Sequence, residues 1–206
     1  MAWDGSKFKV TRLEALTDGI FAIVMTIPVL DLKAPRDIDV LKNISREQFL
    51  TGYFQDFIVY MIVFISLACI WYLHHSHTQT VRHTDRAHLW INALLLMFVA
   101  LVPFSISLAS KFPLEWLAGF ILAANMCIIS ALAYGSWAYV SGKDNLIDEN
   151  VSIAYIREEK KKLSVFIILS VLAMAISLVW PYLSYYVFLA APFFLFSGHF
   201  DTKKAV

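Results

Sequence analysis

The sequence predicts an all-α polytopic membrane protein with six transmembrane helices, and three observations carry that prediction. The chain of 206 residues is 59% hydrophobic and only 16% charged, against about a quarter charged in soluble domains. Its mean hydropathy is +0.65. Its charges collect in short polar stretches between apolar runs long enough to cross a bilayer, which takes about 20 helical residues. A net charge of +1 says little; no nucleic-acid motif, soluble domain or short-period repeat is visible, so no nucleic-acid partner is expected. Cys69 and Cys127 lie inside apolar runs, which reads as buried thiols rather than a disulfide framework.

Residues 1–11 are short and polar. The run that follows holds Glu14 and Asp18 and ends in Asp-Leu-Lys-Ala-Pro, which argues against a cleaved signal peptide. The first span is expected at about 13–32. Pro35 lies in the polar linker after it, and the second span, about 50–75, ends in Trp71-Tyr-Leu-His-His-Ser-His77. A histidine-rich turn leads to a third span at about 88–110, containing Asn92 and Pro103-Phe-Ser105. The fourth covers about 114–140. The polar connection 141–162 carries Glu158-Glu-Lys-Lys-Lys162, a solvated or headgroup-facing helix end. The apolar stretch from Leu163 to Ser197 is too long for one crossing and has Pro181 in its middle, so it divides into spans at 163–180 and 182–198. The whole chain, 1–206, is expected to form one domain.

Six crossings place both termini on one side, together with twelve of the 17 Lys and Arg residues. Lys33, Arg36, Lys42, Arg46 and Lys111 fall on the other. The excess of basic residues makes the terminal side cytoplasmic. Trp90, Trp116, Trp137, Tyr139 and Trp180 near span ends fit interfacial anchoring.

Two constellations could carry function. In the first span, at about 100° per residue with Ile23 as zero, Ile27 falls near +40° and Leu30 near −20°. Gly19, Leu16 and Arg12 lie close to the same line, with Thr26 beside it. Such a stripe ordinarily means packing or lipid contact, but a small residue and a hydroxyl at its edge also suit close approach of copies of one helix. Pro28 lies about 140° away and bends the helix without entering the stripe. The second constellation is polar: Thr17 and Asp18, then Trp71, His74 and His77, then Asp85, His88 and Asn92. Five of six histidines fall between residues 74 and 88. A carboxylate inside an apolar span needs donors, and indole, imidazole and amide groups supply them. The plain reading is an interhelical hydrogen-bond network. A metal site using His74, His77, Asp85 and His88 is the alternative, as in a membrane-embedded metal or haem oxidoreductase. The histidines are too few and too close together for a di-iron membrane enzyme, so no metal and no cofactor is expected.

Thr51-Gly52-Tyr53 lacks the rest of a carbonyl selectivity filter and reads as a helix start. No voltage-sensor arginine ladder, phosphate-cradling loop or hydrolase elbow is present.

Arg12-x-x-x-Leu16-Thr17-Asp18 resembles the Arg-x-x-x-Phe-Ser-Asp signature of the endolysosomal potassium-leak channel family, the transmembrane protein 175 family. Trp71-x-x-His74, Thr84-Asp85, Asn92 and Pro103-Phe-Ser105 follow in the family's order and spacing, so the likeness covers about residues 12–105. Leu16 stands for Phe and Thr17 for Ser. The resemblance implies a prokaryotic single-unit member in the cell (plasma) membrane, a homotetramer with the first helix of each subunit lining the pore. It implies Ile23 as the main constriction, with Ile27 and Leu30 further along and Thr26 adjacent. The ligand would be potassium, favoured modestly over sodium by a dehydration barrier, with proton permeation left open. A non-conducting membrane scaffold is the remaining rival.

Overall fold

The computed structural model describes residues 10–32 and 46–197 of the chain. Among them every regular element is helical: α1 (Val10–Thr26), a 3-10 turn (Ile27–Asp31), α2 (Arg46–Thr78), α3 (Arg86–Ala100), α4 (Val102–Lys111), α5 (Trp116–Ser141), α6 (Ile153–Ser177), α7 (Pro181–Tyr186), a 3-10 turn (Val187–Leu189) and α8 (Ala190–Ser197). The chain is an all-α polytopic membrane protein. Four of its described segments, Val10–Leu30, Gly52–Thr78, Arg86–Lys111 and Trp116–Ser141, are long and apolar enough to cross a bilayer.

Prolines set most of the breaks. Pro28 has no N–H for the carbonyl of Val24, and the helix tightens there from α to 3-10. Pro103 interrupts the run expected at 88–110: α3 stops at Ala100 and α4 restarts at Val102 with proline in its first turn. Pro181 starts α7 in the same way. The polar stretch 153–162, expected as a connection, is instead the first part of α6. Ser152 caps it, its hydroxyl accepting from Tyr155 N–H at 3.2 Å. Lys161–Glu158 and Lys162–Glu159 pairs at i,i+3, each 2.7 Å, support the turn that follows.

α5 is the central post. Leu122, Met126, Ile129, Ala133 and Trp137 form its fully packed face, against which α6, α3 and α4 lie. Gly119 near its start permits a close approach, since a Cβ there would sit 2.8 Å from Ser184 Oγ and 3.2 Å from Ser177 Cβ. α1 packs on α2 and α3 at the side of the bundle. At the basic end, the loops after α2 and α5 are stitched by Arg82 N–H to Leu146 O (2.8 Å) and Asp148 N–H to Thr80 O (2.9 Å). Arg82 there pairs with Glu149 at 2.9 Å and Asp148 at 3.2 Å.

Candidate pore helix and its polar anchor

The two faces of α1 differ sharply. Val10, Leu13, Thr17, Phe21 and Val24 are buried at helical spacing, followed by Pro28. Opposite them Arg12, Leu16, Gly19, Ile23, Thr26, Ile27 and Leu30 are exposed on the isolated protomer. Ile23 is 57% exposed and Leu30 77%, against 0% for Phe21 and 4% for Val24. The stripe expected from the sequence is thus an apolar surface without a partner within the described protomer. Ala15 and Ala22 share it, making its flank small-sided. The Thr26 hydroxyl is turned back onto its own helix, donating to Ala22 O at 2.8 Å and Ile23 O at 3.1 Å.

The polar residues of the second constellation divide among several partners. Asp18 Oδ1 accepts from Trp71 Nε1 at 2.9 Å, tying α1 to α2. His75, one turn beyond Trp71, stacks on that indole at 5.4 Å between ring centroids. It also brings Nδ1 to 3.6 Å from Glu14 and 3.9 Å from Asp18. His74 Nε2 meets Asn92 Oδ1 at 2.8 Å, tying α2 to α3. Asn92 Nδ2 donates to His88 O at 2.9 Å, and His88 reaches Ser136 on α5 at 3.1 Å. His77 turns elsewhere, to Glu159 on α6 at 3.1 Å, with its ring stacked 4.2 Å from that of Trp137.

Asp85 stands apart from these side-chain pairs. It caps α3, accepting from His88 N–H at 2.9 Å, and takes further donors from Tyr139 at 2.7 Å and Lys143 at 3.1 Å. Burial works against its charge, but these three donors outweigh it and hold the carboxyl down at about 2. Thr17, though buried, directs its hydroxyl to Leu13 O at 2.9 Å within α1. Asp85 therefore joins α3 to the end of α5, whereas Thr17 makes no hydrogen bond to a neighbouring helix, contrary to the expectation from sequence.

His75, Glu14, Ser136 and Glu159 complete these contacts, and sequence reasoning misses them. A signal exists for Glu14, one helical turn before Asp18 and on its face; none exists for Ser136 or Glu159, whose partners lie 48 and 82 residues away. Among the described residues, Glu14, Asp18 and His75 are the set close enough to share a cation, within 4.8 Å of one another. The His74, His77, Asp85 and His88 set is dispersed over separate partners.

Residues 12–103 match the family model of the endosomal/lysosomal potassium channel TMEM175. A potassium channel of Chryseobacterium sp. (strain P1-3) is 31% identical over 182 residues, which is 84% of this chain and 85% of that one. The chain belongs to the TMEM175 family of potassium channels. The fold agrees: a crystal structure described as a lysosomal potassium-selective channel TMEM175 homolog from Chamaesiphon minutus superposes with a TM-score of 0.77 at 26% identity, covering 90% of this chain and 95% of that one. The human endosomal/lysosomal proton channel TMEM175 is 32% identical over 106 residues, and this chain spans 21% of its length.

This membership settles two expectations. TMEM175 is a family of channels, so the oxidoreductase alternative falls away. The plasma-membrane location is corrected: the matching family model is that of an endosomal/lysosomal channel, and the relatives from chicken, mouse, human, rat and zebrafish carry that location in their names. The physical reason for the error is that the Lys and Arg bias orients a chain in a bilayer but carries no information about which membrane it enters.

Proposed function

We propose that this potassium channel conducts through a pore lined by the exposed face of α1 from four subunits, with Ile23, Ile27 and Leu30 as successive apolar rings. The observation that carries the reading is the exposure of this stripe on a helix whose opposite face is packed to completion. In a 3-10 turn residues three apart eclipse and climb about 6 Å, so Ile27 and Leu30 fall in line. Ile23 lies one α-helical turn below Ile27, again about 6 Å. Three rings at that spacing make a constriction roughly 12 Å long.

Rings of aliphatic carbon offer an ion nothing in place of its water, so they act as a barrier. An ion passes by shedding or deforming hydration, and potassium, holding water less tightly than sodium, meets the smaller penalty. Stiff β-branched side chains at 23 and 27 fix the aperture. Arg12 lies at one mouth of the same face, and Thr26, its hydroxyl engaged with the backbone, borders the rings without coordinating. The small Ala15, Gly19 and Ala22 allow the four helices to approach. Asp18, held by Trp71 on the flank, and His74, held by Asn92, anchor α1 and α2 against α3 as a frame behind the pore. Two more crossings, one by α6 and one by the segment from Pro181 to Ser197, complete a single six-crossing domain.

Cysteine cross-linking tests the arrangement. Ile23→Cys and Leu30→Cys in a background lacking Cys69 and Cys127 should give subunit–subunit disulfides on oxidation, whereas Val24→Cys should give none. Cross-linking through Val24 and not Ile23 would mean that the opposite face of α1 meets its copies.

A further inference from the structure

The bundle carries a second surface feature away from α1. Between α5 and α6, at the basic end, lies an open groove of about 640 Å³. Along α6 its lining reads in amphiphile order. Past Ile153 and Ile156 at its outer end, Arg157, Lys160 and Lys161 line the groove, and Val165 and Ile168 follow one to two turns on, along one helical face. Tyr134 of α5 forms the opposite wall.

The charges there are in excess. Lys161 shares Glu158 at 2.7 Å, and Glu159 is already engaged by Lys162 and His77. Among the described residues Arg157 and Lys160 have no carboxylate within 4 Å. Beyond the cations the helix stays apolar and open, with Ile168 64% and Leu172 48% exposed. From Arg157 to Ile168 is eleven residues, or about 16 Å of rise, roughly the depth of one leaflet. α6 packs chiefly on α5 rather than on α1, so a pore built around α1 leaves the groove facing lipid.

We propose that this groove binds one anionic glycerophospholipid per subunit, its phosphate among Arg157, Lys160 and Lys161 and an acyl chain along Val165 and Ile168. A guanidinium and two ammonium groups match a phosphodiester with a further negative or neutral polar head. A soluble anion would satisfy the cations but leave the apolar floor unused. A zwitterionic lipid would fill the floor but bring its own cation against three others.

Binding is read by native mass spectrometry of the full-length channel in detergent, titrated with phosphatidylglycerol or phosphatidylcholine, a readout independent of conduction. The wild type should retain phosphatidylglycerol in preference to phosphatidylcholine. The R157Q/K160Q/K161Q protein should lose about 100-fold in phosphatidylglycerol affinity, each single change contributing about fivefold. Lys111→Gln, at the opposite end of the bundle, should change nothing. Should the triple variant fail to fold, Arg157→Gln and Lys160→Gln singly carry the same test, with Arg157→Lys expected to restore binding. Undiminished retention by the variants, equal retention of phosphatidylcholine, or complete displacement by excess inorganic phosphate would each overturn the proposal, the last by assigning the cations to a free anion.

Discussion

Trp71 Nε1 donates to Asp18 Oδ1 at 2.9 Å, so the carboxylate of the family motif is held by an indole on α2 and faces away from the apolar stripe. The bond is charge-assisted and half-shielded, and its removal by Trp71→Phe should cost about 1–2 kcal/mol. Asp18→Asn keeps an acceptor oxygen for the same indole but loses the charge facing His75. It should therefore destabilise less than Trp71→Phe, and both should reduce the yield of assembled channel more than they alter cation preference. Size-exclusion profiles with potassium and sodium flux measured on one preparation check this. Normal assembly with altered preference would put Asp18 in the conduction path.

Two glycines separate folding from assembly. At Gly119 a methyl would meet Ser184 Oγ at 2.8 Å, and that oxygen is held by its bond to Pro181 O at 2.6 Å. Gly119→Ala should cost about 1–3 kcal/mol through overpacking, read as a lower unfolding temperature in detergent. A Cβ added at Gly19 would meet nothing within 4 Å, because this glycine sits on the exposed face of α1. In the proposed four-subunit arrangement, Gly19→Leu should leave the protomer intact and break the oligomer, visible as a shift to smaller species.

Asp85 gives the basic end an acid dependence. Its carboxyl lies below its ordinary 3.8, at about 2, so its stabilising contribution is complete above 3.8 and disappears as pH falls from there toward 2. Lys143, raised above 10.5 by Tyr139 and Asp85, contributes below that value and is lost as pH rises through it. Asp85→Asn should flatten the acid limb of an unfolding-temperature profile. Asparagine still caps α3, so the cost at neutral pH, about 1 kcal/mol, comes from the charge lost on the bonds to Tyr139 and Lys143.

Conduction should survive exhaustive chelation. The histidines at 74, 77 and 88 are each engaged by a hydrogen-bonding partner, Asn92, Glu159 and Ser136 in turn, so no shared ligand set remains among them for a required metal. Loss of flux on chelation, restored by one particular metal, would point to Glu14, Asp18 and His75 as a functional centre.

Periodicity makes the two faces of α1 legible in the sequence, because one face is buried by α2 and α3 and the other is not. The polar pairs are legible only as a set. Helical spacing groups Trp71, His74 and His77, but these are one turn apart on a curved surface and each meets a different helix: α1, α3 and α6. Glu159 stays hidden because an acid in a Lys-rich stretch reads as solvated until α6 begins at Ile153 rather than at 163. The break at Leu101 is visible as Pro103, yet a proline kink and an intact span have the same hydropathy. The membrane in which the channel sits leaves no mark at all in residue periodicity or charge.

The sharpest prediction concerns Ile23, 57% exposed beside the buried Val24. If Ile23 forms the tightest ring, Ile23→Asn places amide groups where an ion has lost water, and these stand in for part of its shell. The dehydration penalty should fall for every cation and furthest for the strongly hydrated ones, so sodium gains more than potassium. The variant should conduct faster and discriminate less. Val24→Asn tests the direction of the helix: it buries an amide in the packed face at a cost of about 1–3 kcal/mol, lowering stability while leaving the selectivity of any folded channel unchanged. Potassium and sodium flux through both proteins in liposomes decides between them. An Ile23→Asn channel that folds normally with wild-type rate and selectivity would mean that the exposed stripe of α1 does not line the pore.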